Sequence, residues 1–260
     1  MLETLSRTRF PRVRVQWFCE RPALAACLGL AEFKQCATAG FRLGFVRRPF
    51  HTKLVDLDQE PDAILAGFQS RTRSMVRQAQ KLGITTGGFP DRAQFVATYN
   101  AFADRRGLAR LPAHHPLANP GPSRVTAAHL DGRILVMRGY LLDRDKARVR
   151  NLVSCTALHA ADDTETPKLT GLAHRLLVYA DMLAFRSEGF TGYDFGGYAV
   201  GTADPKLASI NRFKDSFGGR IIAESNYVTW PLHLWLTARD WARRSRVAIA
   251  PADPVPDMQP

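Results

Sequence analysis

Tyr193-Asp194-Phe195-Gly196-Gly197 and, shortly after it, Phe213-Lys214-Asp215-Ser216-Phe217-Gly218-Gly219 are the two stretches on which the reading of this chain turns. Each Gly-Gly pair follows an aromatic residue and stands where a strand or a helix should end. Lys214 is set between Phe213 and Phe217, an apolar setting for a charged side chain. A lysine held beside a developing oxyanion or a phosphate has a reason to be there. The alternative is a helix-face lysine that runs its stem along apolar surface and keeps its head in water.

The surrounding elements alternate between the two regular structures. Tyr193–Phe195 reads as a short strand. Pro205, suited to a first helical turn, opens a helix to about Ser216. Arg220–Trp230 reads as a strand and Leu232–Arg246 as an amphipathic helix. Upstream, Thr170-Gly171 opens a helix that runs to Glu188 and stops at Gly189. Three strands precede it: Val125–Leu130, Ile134–Leu142 and Arg148–Ala157. Asp131-Gly132 provides the tight turn of the first hairpin, and Asp143–Ala147 is the second turn.

Further back, Leu108–Ser123 is a proline-rich loop carrying His114 and His115, and Asp91 caps a helix ending at Arg106. Ile84–Gly88 and Leu54–Leu57 read as short strands. Pro61–Leu82 is helical, with a break near Ser70 and Gly83 as its C-cap. Arg12–Phe18 alternates as a strand, and Pro22–Ala37 reads as a short helix. Pro251–Pro260 is expected to be a disordered proline-rich tail. An antiparallel meander followed by β-α-β units predicts an α/β (α+β) fold: one domain over residues 1–250, with a mixed, mostly antiparallel central sheet flanked by helices.

At 260 residues one core can bury most of the apolar surface. The four cysteines, Cys19, Cys27, Cys36 and Cys155, show neither CxxC spacing nor histidine partners, which argues against a metal site or a disulfide framework and for a reducing compartment. No run is long enough to span a bilayer and the start lacks a signal-peptide pattern, so a cytoplasmic location is expected. No G-x-S-x-G elbow, Walker loop or dinucleotide fingerprint occurs. The formal net charge is +12, carried mostly by arginine. Such a surface attracts polyanions: RNA, anionic lipid, or phosphorylated donors such as coenzyme A and carrier-protein arms. It serves equally as a solubility feature with no partner.

The Tyr193–Gly197 strand, the Phe213-Lys214-x-x-Phe217-Gly218 element and the arginine-rich helix Ser70-Arg71-Thr72-Arg73-Ser74-Met75-Val76-Arg77-Gln78-Ala79-Gln80-Lys81-Leu82-Gly83 together resemble the Fem family of peptidyl transferases and the related acyltransferases of the GNAT superfamily. The resemblance covers roughly Thr52–Trp230. It implies a GNAT-like fold and an acyl transfer to an amine, with an acceptor in cell-envelope, polysaccharide or secondary-metabolite assembly. The larger Fem enzymes hold two such domains, and this chain has room for one.

The resemblance also implies roles for particular residues. Lys214 matches the lysine that the Fem family keeps near the reacting carbonyl, with Phe213 beside it to limit water. Lys168-Leu169-Thr170-Gly171-Leu172-Ala173 is similar to the superfamily pattern in which backbone amides at a helix start receive the pyrophosphate of coenzyme A, although Lys168 departs from the usual first residue. His174 and Arg175 would add charge there. The same residues read equally as a plain helix start with Thr170 as N-cap. Asp194 suits either acceptance of a proton from the attacking amine or capping of the following turn. Tyr198 is a candidate substrate contact. Arg73, Arg77 and Lys81 share one helix face, which suits either phosphates or plain solvation.

Three functions follow: an acyltransferase using a thioester of coenzyme A or an acyl carrier protein, an aminoacyl-tRNA-dependent transferase of the Fem type, and a non-catalytic RNA-binding or adaptor module. None calls for a metal or a tightly bound cofactor.

Overall fold

The computed structural model describes residues 2–6, 13–157 and 165–249. In chain order these form β1 (Leu2–Ser6), β2 (Val13–Trp17), β3 (Ala31–Cys36), β4 (Phe45–Asp56), α1 (Pro61–Ala66), α2 (Ser70–Lys81), β5 (Thr85–Gly88), α3 (Arg92–Arg106), β6 (Ser123–Leu130), β7 (Arg133–Asp143), β8 (Arg148–Thr156), α4 (Glu165–Ser187), β9 (Gly192–Gly197), α5 (Pro205–Asp215), β10 (Arg220–Thr229) and α6 (Trp230–Ile249). The strands make one sheet in the order β1-β2-β3-β10-β4-β9-β8-β7-β6-β5. Only β2/β3 and β8/β9 pair in parallel; the other neighbours are antiparallel. This is the mixed, mostly antiparallel α/β arrangement that the element order predicts.

Several local expectations hold for the reasons given. Asp91 accepts a hydrogen bond from the Gln94 amide at 2.8 Å, and Gly107 closes α3 with φ +63°. Asp131 and Gly132 both take positive φ between β6 and β7, as a tight primed hairpin turn requires. The Asp204 carboxylate caps α5 through the Lys206 amide at 2.8 Å, with Pro205 in the first turn.

Four boundaries are corrected. Pro22–Ala37 is not a helix: a 3-10 turn at Leu24–Ala26 is followed by β3, in which Ala31, Phe33, Gln35 and Cys36 are buried while Glu32 and Lys34 are half-exposed. That period-two pattern is locked by pairing with both β2 and β10. The strand expected at Leu54–Leu57 begins at Phe45, because β10 runs antiparallel along its whole length and supplies partners even to Pro49 and the exposed Arg47 and Arg48. The break expected near Ser70 within Pro61–Leu82 is present, at Gly67–Gln69. The helix expected from Thr170 is already formed at Glu165, and the last helix starts at Trp230. The expected tail at Pro251–Pro260 lies outside the described residues.

Helices α1, α2 and α4 bury one side of the sheet in two clusters built around Tyr140, Tyr193, Phe217 and Met182 and around Val76, Leu135 and Leu177. Helix α3 packs on β6–β8 through Phe95, Tyr99 and Ala103. The second Gly-Gly pair is what lets β10 turn back against β4. Gly219 has φ +78°, and a Cβ there would stand 2.3 Å from the Leu54 carbonyl oxygen, so no L side chain fits.

Candidate active site

Strands β8 and β9 pair only over Arg148–Arg150 against Gly192–Asp194. Beyond that point they part. β8 continues along β7 while β9 follows β4 to Gly197. The gap between the parted strands opens into a cleft of about 440 Å³. Asn151–Ser154, Phe195 and Gly197 line it from the sheet, joined by Arg138 of β7 and by Ser209, Phe213 and Lys214 of α5. A parallel pair separating in this way leaves backbone edges unpaired inside the fold, a setting that proteins fill with ligand rather than with core.

Lys214 sits in the last turn of α5, where the helix dipole favours a cation. It is nearly buried, and its Nζ donates to the Gly196 carbonyl at 3.2 Å and to the Gly197 carbonyl. Two of the three ammonium protons are thus taken by main-chain oxygens, which aim the group along the cleft floor. Burial lowers its pKa to about 8, against the pull of Asp194 and with added repulsion from Arg150 and Arg138. Phe213 packs beside it, with the Arg175 guanidinium 5.4 Å and the Arg138 guanidinium 6.0 Å from its ring centroid.

The first Gly-Gly pair is fixed from behind by Asp194, which is fully buried and engages both carboxylate oxygens. One oxygen accepts from the Gly196 amide at 2.6 Å and from the Thr52 hydroxyl. The other accepts from Gln35 Nε2 at 2.8 Å and from Arg148 Nη2 at 2.6 Å. Burial raises the Asp194 pKa, but Arg148, Arg150, Thr52 and Gln35 outweigh it and hold the carboxyl below its ordinary value. Arg148 also pairs with Glu224 at 2.6 Å and stacks on Phe18. Thr52 lies 2.9 Å from the Gly196 carbonyl that holds Lys214. Gly196 itself has φ +75°, and a Cβ there would crowd the Asn151 carbonyl at 3.1 Å. Asp194 therefore caps the Gly-Gly turn, as one of its two sequence readings has it, and does not line the cleft.

The segment Lys168–Arg175 lies inside α4. Thr170 donates to the Pro167 carbonyl at 3.1 Å, and the Gly171 carbonyl accepts from Arg175 Nη1 at 2.9 Å. Gly171 is in the second turn of the helix, past the first amides that a helix start leaves free. Leu172 and Ala173 are buried in the core between α2 and α4. His174 is half-buried with its Nδ1 buried and unpartnered, and desolvation, then Arg138 and Arg175, lowers its pKa to about 3, so it carries no charge. Of this segment, His174 and Arg175 reach the cleft wall, through Phe213.

Tyr198 donates to Asp215 at 2.9 Å, and Lys53 meets the same carboxylate at 2.9 Å, a cluster beside the base of α5. Arg73 is turned to the Phe68 and Ala66 carbonyls and braces the junction between α1 and α2, while Arg77 and Lys81 are exposed. The structure does not bring these helix residues into the cleft.

Arg138 is the residue that sequence reasoning passed over. It is 2% exposed, donates to the Tyr193 hydroxyl at 3.1 Å and leaves Nε without a partner at the cleft wall. Behind it Tyr193 and Tyr140 are 2.9 Å apart, and Tyr140 donates to Asp181 at 2.6 Å. Asp181, raised to about 7 by burial, is also met by Thr126 at 2.9 Å. A signal was present: Arg138 interrupts the apolar run Ile134-Leu135-Val136-Met137, and Asp181 interrupts an apolar helix in the same way.

No family model matches the sequence, and no curated protein matches it. Solved structures do share the fold. The crystal structure of FemX superposes with a TM-score of 0.58 at 16% identity, over 75% of this chain and 68% of that one. The C-terminal domain of a protein described as a lysylphosphatidylglycerol synthetase from Agrobacterium fabrum gives 0.53 at 15%, over 84% and 78%. L-PGS from Bacillus licheniformis gives 0.53 at 12%, over 91% and 84%. The fold expected from the Tyr193–Gly197 and Phe213–Gly219 stretches is therefore the one these proteins share.

Proposed function

We propose that this chain is an N-acyltransferase whose reaction takes place in the cleft between β8 and β9. The observation that carries this reading is the Lys214 ammonium, buried at the cleft floor and aimed by the Gly196 and Gly197 carbonyls with one N–H left to give. An acceptor amine attacks the carbonyl carbon of an activated acyl group. The carbon–nitrogen bond forms, the oxyanion develops beside Lys214, and the carbon–sulfur or carbon–oxygen bond to the carrier then breaks as the amine proton passes to the leaving group or solvent. Positioning and charge stabilisation supply the acceleration. This matches the lining, which has no carboxylate or imidazole among the described residues. Phe213 and Phe195 keep water from the acyl group, and Arg138 adds a second fixed cation.

Two donor classes fit such a site. A thioester of coenzyme A or of an acyl carrier protein is the first. An aminoacyl-tRNA is the second, and one observation favours it: the Gly171 amide lies within α4 rather than at its start, while the net charge of +12 suits either polyanion. The acceptor is an amine of a cell-envelope, polysaccharide or secondary-metabolite precursor. The experiment is a mass shift in an amine acceptor pool incubated with the protein and either acyl-coenzyme A or aminoacyl-tRNA. Thermal stabilisation by free coenzyme A against tRNA serves as a second readout. A shift with one donor alone assigns the class, and no shift with either leaves the RNA-binding or adaptor function as the better account.

The charge state of Lys214 gives a second expectation. The ammonium is the useful form, so it is present below about pH 8 and lost above it. The wild-type single-turnover rate, divided by that of Lys214→Arg at the same pH so that deprotonation of the acceptor amine cancels, should therefore fall with unit slope above about pH 8. Lys214→Arg, which keeps its charge, should be slower at neutral pH and should rise with the free acceptor amine across that range. A ratio that stays constant through pH 8 would contradict the assignment.

A further inference from the structure

Two of the free cysteines face each other across neighbouring strands. The parallel β2/β3 register sets Trp17 opposite Lys34. Two residues further along both strands the same offset sets Cys19 opposite Cys36, and the Ala37 amide holds that register by donating to the Cys19 carbonyl at 3.1 Å. The two Sγ atoms are 2.8 Å apart. Neighbouring strands stand about 4.7–4.9 Å apart, within the Cα separations that a disulfide spans, and the sulfurs need to close by under ~1 Å to bond.

Both strands are bent at this level. Phe18 and Gln35, the residues just before the two cysteines, have φ +56° and +54°. Neither is glycine, and such values are uncommon for residues that carry a Cβ. Each is pinned by its side chain. The Arg148 guanidinium stacks 4.7 Å from the Phe18 ring centroid, and Gln35 Nε2 donates to Asp194 and to Glu224, both at 2.8 Å. Unfavourable backbone persists where its surroundings over-determine it, so the meeting of the two thiols is fixed by the main chain on both sides.

The two thiols differ in access and in charge. Cys36 is fully buried, whereas Cys19 lines an open cavity of about 460 Å³. Gly192, at the start of β9, borders that cavity, and the cleft lies at the other end of the strand, at Gly197. The Cys36 thiol donates to Cys19 and lowers the Cys19 pKa against the effect of burial. The same hydrogen bond, then burial, keeps Cys36 protonated far above the ordinary thiol range. Cys19 is therefore the nucleophile and Cys36 the thiol that follows it.

We propose that Cys19 and Cys36 are a modification site: they close a reversible disulfide when the protein meets hydrogen peroxide. The Cys19 thiolate attacks one peroxide oxygen, so that a sulfur–oxygen bond forms, the oxygen–oxygen bond breaks, and hydroxide leaves and takes up the Cys19 proton as water. The Cys36 sulfur then attacks the Cys19 sulfenic acid. The sulfur–sulfur bond forms, the sulfur–oxygen bond breaks, and the departing hydroxide takes the Cys36 proton as a second water. The two thiols give up two electrons and the peroxide accepts them. A thiol reductant reverses the bond by exchange. The site shares no residue with the cleft and does not depend on acyl transfer. In the test, the native full chain is treated with hydrogen peroxide and its remaining thiols are alkylated. Digestion without reductant, by trypsin and a glutamate-specific protease, puts Cys19, Cys27 and Cys36 on separate peptides. The expected product is the Cys19 and Cys36 peptides joined, at their summed mass less two hydrogen atoms, in most molecules at a dose that leaves Cys155 as a free thiol. Dithiothreitol should restore both thiols, and dimedone present during oxidation should be found on Cys19 and not on Cys36. Four results overturn the proposal: both thiols alkylated after peroxide, a link from either to Cys27, which packs on the same cluster, a link that forms only in denaturant, or dimedone on Cys36.

Discussion

Lys214→Ala is expected to lower acyl transfer by about 10²–10³, the range seen when one preorganised donor to an oxyanion is removed, and to leave the fold in place. The two parts of that expectation rest on different contacts. Transfer fails because the cleft has no second group at the same place: Arg138 stands at the wall, held by Tyr193, while Lys214 stands over the Gly196-Gly197 floor. The fold survives because little is orphaned. The Gly196 carbonyl keeps a share of the one Thr52 hydroxyl proton, 2.9 Å away and also directed to Asp194, and the Gly197 carbonyl, beside an open cleft, loses the Lys214 ammonium. A loss of about 1–2 kcal/mol would follow from that one group, offset in part by relief of a buried cation whose charge the site already disfavours. Lys214→Met keeps the stem and its packing on Phe213 and should show the same loss of rate with a smaller loss of stability. The measurement is transfer under single-turnover conditions beside a denaturant melt. Full transfer by either variant would sink the mechanism, and so would a loss of transfer explained by a loss of fold.

How far the sequence foretold this site depends on how local each residue's reason is. Lys214 was visible because its oddity is local: a lysine between two phenylalanines before a glycine pair. Asp91, Gly107 and the Asp131-Gly132 turn were visible for the same reason, since each is fixed by partners a few residues away. Pro22–Ala37 was misread because its strand character comes from β2 and β10, and β10 begins at Arg220, far along the chain. Thr170-Gly171 looked like a helix start because threonine and glycine favour such positions, but the burial of Leu172 and Ala173 against α2 carries the helix through them. Arg138 and Asp181 were legible as lone charges in apolar runs, but that they share one chain of hydrogen bonds was not, since it passes through Tyr193 of β9 before it returns to Tyr140 of β7.

Asp194→Ala is expected to cost about 3–5 kcal/mol of stability, a greater loss than Lys214→Ala, though the two residues lie in adjoining motifs. Four partners lose their acceptor at once: the Gly196 amide, Thr52, Gln35 and Arg148. Arg148 is the costly one. It is mostly buried and retains only Glu224, so its charge is left half-paired in a low-dielectric interior. Asp194→Asn keeps an oxygen for the Gly196 amide and should fall between wild type and alanine. The sign of the pH dependence separates this from a loss of packing. The native Asp194 pKa lies below its ordinary value, so the wild type gains stability from ionised Asp194 above the unfolded-state pKa and loses it as pH falls through the native one. Removing the carboxylate removes that dependence. The stability difference between wild type and Asp194→Asn should therefore be full at neutral pH and shrink on acidification. A difference that stays constant down through the carboxylate range would mean that volume and hydrogen bonding, not the ion pair with Arg148, hold the glycine turn under Lys214. The consequence for the active site passes through the turn: Asp194 holds the Gly196 amide, so without its charge the glycine turn that presents the Gly196 and Gly197 carbonyls to Lys214 loosens, and transfer by Asp194→Asn should fall in kcat rather than in KM.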